Sequence, residues 1–190
     1  MATLFVDKID PQSGTALEIG TSGDTITVPA GATINLSAAT QTGVGETNSP
    51  YFNSTQNSGQ SIANETTTKI TYDVSGINVG GGTYDTAESR WTHGVAGRYL
   101  ISAWVFIKYA VSSGQRIDME IYKNGSRIKA GRWRAGGDLD GSSSAFVQGI
   151  VTLDADDYVE AFCWQNSSAS RSIDNNSAFT FFEGFKIANT

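Results

Sequence analysis

The sequence has little of several residue types, and each shortage excludes a class of protein. It holds one cysteine and one histidine among 190 residues, which excludes an internal disulfide, a cysteine-rich metal site and a two-histidine zinc centre. It has three prolines, and it has no long Leu/Ala/Glu/Lys runs; the absence of such runs of helix formers means that helix is not favoured. Charged residues make up 17% and the net charge is −6, which argues against a nucleic-acid binder.

Long hydrophobic runs are also missing. The longest, residues 100–107, is far shorter than the ~20 apolar residues of a membrane-spanning helix. The first ten residues lack the basic and then apolar regions of a secretory signal. We therefore expect no membrane insertion and no export by a signal peptide.

Composition changes along the chain. Up to residue 68 only Lys8 is basic, whereas all four tryptophans and twelve of the thirteen basic residues follow. This shift predicts an N-terminal appendage over residues 1–42, a linker region over 43–59 and a globular head over 60–190.

The appendage carries three apolar pairs at a spacing of two, separated by glycines. That spacing is typical of strands, and the glycines of turns. Strands this short bury too little surface to offset a chain entropy of ~1–2 kcal/mol per ordered residue, so other copies of the chain would have to complete the core. The pattern predicts an oligomeric stalk; a flexible Thr/Gly linker is the alternative. The expected stalk core is Leu17, Ile19, Ile26, Val28, Ile34 and Leu36.

The head shows strand patterns throughout. Residues 116–123 alternate apolar and charged side chains, and Asn124-Gly125 then gives a strong signal for a tight hairpin. Repeated strand patterns with turn residues between them predict an all-β sandwich or barrel. The predicted strands are 69–74, 98–109, 116–123, 126–133, 144–153, 158–165 and 179–187.

Several short motifs in the head resemble, in order and spacing, the C1q/TNF-like jelly-roll family over about residues 51–187. Trp91 and Ala155-Asp156-Asp157 depart from its usual pattern. The resemblance implies a ten-stranded jelly roll that assembles as a homotrimer through an apolar aromatic face. The motifs are Gly82-Thr83-Tyr84-Asp85, Trp91-Thr92, Gly97 to Ser102, Lys123-Asn124-Gly125, Val151-Thr152-Leu153, Asp156 to Val159 and Phe179 to Phe185.

No Gly-X-Y collagen repeat precedes the head. Residues 4–40 instead resemble the attachment and stalk segments of bacteriophage fibre proteins, especially those of marine phages. The resemblance implies a virion structural protein, a homotrimeric tail fibre, head fibre or capsid decoration. Residues 1–42 would anchor it to other virion proteins, and the head would face outward from the virion surface for host attachment. The alternatives are a secreted C1q-like lectin or signalling ligand, and a glycan depolymerase.

One hairpin gathers the basic residues, six of thirteen within residues 116–134. In an acidic protein this cluster could bind an anionic host glycan or an acidic partner, and residues 136–143 would add an adaptable loop. The alternative is ordinary outward-facing side chains in water. The candidate binding residues are Arg127, Lys129, Arg132, Trp133 and Arg134.

No residues suggest a cofactor or a catalytic centre. Asp138, Asp140, Asp154, Asp156 and Asp157 could offer oxygens to calcium, but the chain lacks a twelve-residue calcium loop, and turn-forming aspartates are the favoured interpretation. His93 has no recognisable nucleophile partner, and Cys163 lies in a strand pattern that predicts a small buried apolar residue. We expect a protein that is not an enzyme and has no cofactor.

Overall fold

A computed structural model describes residues 19–33, 48–108, 112–137 and 141–189. The chain divides into two units, Met1–Val44 and Gly45–Thr190. In the first, a turn closes from the N–H of Asp24 to the carbonyl of Thr21, and another from Ala32 to Pro29. These turns lie where glycine and proline predict them.

The predicted stalk core has no cover within the described residues of the first unit. Residues 19–33 form no strand, and Ile19, Ile26 and Val28 are all exposed. Leu17, Ile34 and Leu36 lie outside the described residues. Completion of this core by other copies of the chain stays a prediction.

The described part of the second unit is made of strands, with no helix, which confirms the all-β prediction. The strands are β1 (Tyr51–Thr55), β2 (Ser61–Ile62), β3 (Thr68–Lys69), β4 (Val74–Val79), β5 (Thr83–Asp85), β6 (Arg90–Thr92), β7 (Gly97–Ile107), β8 (Arg116–Lys123), β9 (Ser126–Arg134), β10 (Ser143–Leu153), β11 (Tyr158–Gln165), β12 (Arg171–Ser172) and β13 (Phe181–Ala188).

The strands form two packed antiparallel sheets. The five-stranded sheet has the order β10-β7-β13-β1-β4. The six-stranded sheet has the order β5-β6-β11-β8-β9, and β3 also pairs with β11. Strands β2 and β12 form a separate small pair.

One apolar core fills the space between the sheets. Its centre is aromatic, with the ring centroids of Phe52 and Trp91 4.4 Å apart and those of Phe52 and Phe182 4.8 Å apart. Tyr84 lies in the same cluster, donates a 3.1 Å hydrogen bond to the carbonyl of Tyr72, and has its pKa raised to about 12 by burial. Such ring pairs add stabilisation beyond the area that they bury.

The long strands and the hairpin lie where the sequence predicts them. Asn124 and Gly125 both adopt positive φ, 49° and 76°, as a two-residue type I′ turn requires. The predicted strand over 69–74 is wrong as a continuous element. In its place are β3 and an irregular segment in which Ile70 and Tyr72 are buried. The alternation in the sequence therefore comes from two side chains that pack into the core.

Strand β1 lies inside the region expected to link appendage and head. It pairs with β13 on one side and β4 on the other, in the five-stranded sheet. The N-terminal boundary of the head in the structure therefore precedes β1, near residue 45.

Candidate functional site

The outward side chains of the five-stranded sheet form an apolar face. Pairing places Phe146 of β10, Trp104 of β7 and Phe181 of β13 in one row across three strands. Their ring centroids are 5.2 Å apart for Trp104 and Phe146, and 6.0 Å for Trp104 and Phe181. Phe106 and Phe179 stack beside this row at 5.2 Å.

A second apolar row crosses all five strands of the sheet. On β10, β7 and β13 it lies four residues along the strand from the first row. It consists of Ile150, Leu100, Phe185, Tyr51 and Val79.

Between the two apolar rows lies a row of polar side chains that bond to each other. Gln148 Nε2 donates to Ser102 Oγ at 2.8 Å, and Asn53 Nδ2 donates to Glu183 Oε2 at 3.1 Å. The apolar face thus has a polar line through its middle.

Nothing within the described head covers this face. Phe146 is 40% exposed and Ile150 57% exposed, and a shallow depression of about 410 Å³ lies between Tyr51, Ile77 and Phe185. Contiguous apolar surface of this kind on a folded chain marks an interaction site.

The sequence of β7 contains a pattern that indicates this apolar face, but the pattern does not show which side of the strand faces the core. Strand β7 is apolar on both sides, with Tyr99 and Ile101 buried inward and Leu100 and Trp104 facing outward. A strand that is apolar on both faces is typical of a sheet covered on both sides. Here only one side is covered by the chain itself.

The outward side of β8 and β9 in the six-stranded sheet forms a charged face. Asp118 and Glu120 project from β8 with side chains only 7% and 3% exposed. Arg132 binds Asp118 through two bonds, from Nε at 2.8 Å and from Nη2 at 2.9 Å. Arg127 Nη1 donates to Glu120 Oε1 at 2.6 Å, and the Tyr122 hydroxyl donates to Glu120 Oε2 at 3.1 Å.

These ion pairs fix two guanidinium groups in place. The hydrogen bond and charge of Glu120 raise the pKa of Arg127, and those of Asp118 raise the pKa of Arg132. The carboxylates are buried, whereas the arginine side chains are 58% and 55% exposed. The pairs therefore present ordered cationic groups to solvent.

The structure brings together part of the predicted binding cluster and separates the rest. Arg127 and Arg132 lie on the charged face, and Arg134 lies opposite Arg116 further along β9. Trp133 pairs with the fully buried Ile117 and packs against the core, so it points away from the two arginines beside it in sequence. Lys129 is an exposed side chain whose stem lies against Gly149 of β10.

The aromatic groups on the charged face are ones that sequence reasoning missed. Trp164 and Phe162 of β11 lie in register with Asp118 and Glu120. The Arg116 guanidinium carbon is 4.3 Å from the centroid of the Trp164 ring. The available signal was the alternation in 161–165, where Ala161, Cys163 and Gln165 are buried and the aromatics between them are half-buried.

A depression of about 290 Å³ lies on the charged face where β9 carries Ala130. Ala130 pairs with Glu120 across the ladder, and its small side chain leaves space between Arg127 and Arg132. The lining is Asp118, Glu120, Arg127, Ile128, Lys129, Ala130 and Arg132.

Among the residues considered for calcium, Asp157 has a structural role. Asp157 accepts from Lys123 Nζ at 2.5 Å, from Asn124 Nδ2 at 2.6 Å and from the N–H of Asp154 at 2.7 Å. Burial would raise the pKa of Asp157, but these partners outweigh it and lower the pKa below its usual value. Asp138 and Asp140 lie outside the described residues, and among those described no three His, Cys, Asp or Glu side chains are grouped to hold a metal.

His93 and Cys163 are both buried in the head. His93 Nδ1 bonds the Val95 carbonyl at 2.7 Å. Burial raises the pKa of the Cys163 thiol far above its ordinary value, so the sulfur stays protonated and unreactive. No helix long and apolar enough to cross a membrane occurs in the described ranges.

The architecture has clear structural neighbours. The structure of Eiger TNF from S. frugiperda aligns with a TM-score of 0.57 and 11% identity, covering 74% of this chain and 93% of that one. The fold of the head is a TNF-like jelly roll. Murine APRIL aligns at TM-scores of 0.55 and 0.52 in crystals at pH 5.0 and 8.5, with 14% and 13% identity, in each case covering 72% of this chain and 98% of that one.

Sequence comparison gives no family assignment beyond this TNF-like fold. No family model matches the chain, and no curated protein matches it. At such low identities the neighbours establish the fold of the head, and its function must be argued from its two faces.

Proposed function

We propose that the chain is a homotrimeric attachment head on the surface of a bacteriophage particle, as a tail fibre, a head fibre or a capsid decoration. Residues 1–42 would anchor it to other virion proteins, and the jelly roll would face the host surface. The observation that carries the homotrimer is the uncovered apolar face, with Trp104 at the centre of an aromatic row.

The size of the face supports assembly. Five strands at ~4.8 Å and about eight residues at ~3.3 Å span an area of roughly 20 by 25 Å. This is the same order as the ~800 Å² that each partner contributes to a standard interface. Three copies related by symmetry can each cover a neighbour's apolar rows, which agrees with the trimer implied by the C1q/TNF-like motifs.

The virion assignment rests on different support. It comes from the resemblance of residues 4–40 to phage fibre segments and from the change in composition between appendage and head. The separate compact unit up to residue 44 is consistent with an attachment segment that is distinct from the head.

Two measurements test the proposal. Light scattering on the full chain should give about 61 kDa, three times the 20.2 kDa of one chain; a mass of one chain at micromolar concentration would overturn the trimer. Mass spectrometry of purified particles should detect the protein in fixed stoichiometry with the virion proteins. Recovery only as free protein in the medium would overturn the virion role and favour a secreted ligand.

A further inference from the structure

We propose that the depression at Ala130 on the charged face binds one acidic sugar unit of a polysaccharide that carries carboxylate or sulfate groups. This rests on the proposed attachment function, because it names the ligand class that the displayed head would contact.

The volume of the depression is compatible with one sugar ring. At about 290 Å³ it is slightly below the ~300–1,000 Å³ typical of ligand pockets. Ala130 forms its floor next to Glu120, and Arg127 and Arg132 stand on either side along β9. A polymer could lie across the exposed strand while one unit enters the depression.

The two arginines are ordered before any ligand arrives. Arg132 uses Nε and Nη2 on Asp118, and Arg127 uses Nη1 on Glu120. A guanidinium group carries five N–H donors, so both side chains keep donors for a ligand. Because the buried carboxylates already hold them, binding loses less side-chain entropy, and the planar fork suits a carboxylate or sulfate group.

The charge of the site favours an anion, although the whole chain is acidic. Three cationic side chains line the depression beside two carboxylates, an excess of one positive charge on a chain of net charge −6. The cations are Arg127, Lys129 and Arg132, and the carboxylates are Asp118 and Glu120.

The carboxylates decide what kind of anion suits the site. Asp118 and Glu120 both line the depression; each of their oxygens already accepts one bond within the chain, and the second lone pair of a carboxylate oxygen can accept a hydrogen bond from a hydroxyl group. A ligand that carries only anionic groups would be repelled by these oxygens, whereas an acidic sugar offers an anion to the arginines and hydroxyls to the carboxylates. The mixed lining therefore favours an acidic sugar over a bare polyanion.

The test measures binding of the assembled full chain to four immobilised polymers: polygalacturonate, dextran sulfate, neutral dextran and polyglutamate. We expect binding to at least one of the acidic polysaccharides and weak binding to dextran and polyglutamate. Ala130→Leu fills the depression and leaves every charge in place, so it should weaken binding about tenfold or more.

The matched control is Arg134→Ala, which removes one positive charge from the same strand but lies outside the lining. It should weaken binding less than about threefold, as expected for a screened charge at the rim. Circular dichroism and light scattering confirm that both variants fold and assemble.

Three results would overturn the inference: no binding to either acidic polysaccharide, equal binding to polyglutamate, or a larger loss with Arg134→Ala than with Ala130→Leu. In each case, a trimeric mass and presence in purified particles would leave the proposed function standing. Failure of those two measurements would instead reject the function itself.

Discussion

The apolar face and the charged face are built by the same alternation of strand residues, yet they leave their side chains in opposite states. On the apolar face the Trp104 ring packs between Phe146 and Phe181, and nothing within the described head covers these rings on their outer side. On the charged face Asp118 and Glu120 already have their partners within the chain. The first face is incomplete until something covers it, whereas the second is stable in water and suits reversible contact.

The strongest test of this contrast places two new carboxylates on either face. Phe146→Glu with Phe185→Glu should abolish assembly and leave a folded single chain, because both side chains are exposed and burial of two unpaired charges is strongly unfavourable. Light scattering would report the mass, and circular dichroism the fold.

The matched pair is Lys129→Glu with Arg134→Glu on β9 of the six-stranded sheet, which should leave the assembled mass unchanged. Assembly that survives the first pair, or that is lost with the second, would show that the faces have been assigned the wrong way round.

A smaller effect is expected where the edges of the two sheets meet, at Gly131 of β9. An added Cβ there would lie 1.9 Å from the carbonyl oxygen of Phe146 on β10. Gly131→Ala should therefore lower the free energy of unfolding by about 3 kcal/mol, the upper part of the range for overpacking, as measured by urea denaturation. Gly136→Ala is the control, since a Cβ there meets nothing within 4 Å; equal losses for the two variants would contradict the close approach of the sheets.

The smallest effect concerns acid, which acts on the core that both faces share. Burial lowers the pKa of His93, with Val95, Asp157, Lys123, Asp154 and the Tyr99 ring as its surroundings. A base with a lowered folded pKa binds protons better when unfolded, so its contribution is complete above the unfolded pKa of ~6.5 and declines as the pH falls below it. The temperature at the midpoint of thermal unfolding should decrease as the pH is lowered from 7 to 5, and it should decrease less in His93→Phe. An equal decrease in that variant would assign the effect to other groups.

The sequence predicted the strands and turns better than it predicted which side chains share a face of a sheet, and particular residues show why. Strands such as β8 and the Asn124-Gly125 turn depend on local alternation and backbone conformation, which a single sequence displays. The inward turn of Trp133 and the pairing of Trp164 with Asp118 depend on strand order and register. These come from long-range pairing, and a shift of one residue exchanges the two sides of a strand.

The candidate cluster shows the same limit at the level of chemistry. Spacing located the basic hairpin, but the carboxylates that hold Arg127 and Arg132 come from the neighbouring strand. These carboxylates are buried because β8 lies between β9 and β11, an arrangement that the sequence does not display.

Ala130 has a consequence for how such a protein can vary. Its side chain is exposed, lies on an edge strand and belongs to no part of the core. Substitutions there change the depth of the depression while the packing of Ile117, Met119 and Ile121 beneath stays the same. Natural selection for a different ligand can therefore act on this one residue without destabilising the fold. Related chains can differ in the ligand that they prefer and keep the same scaffold.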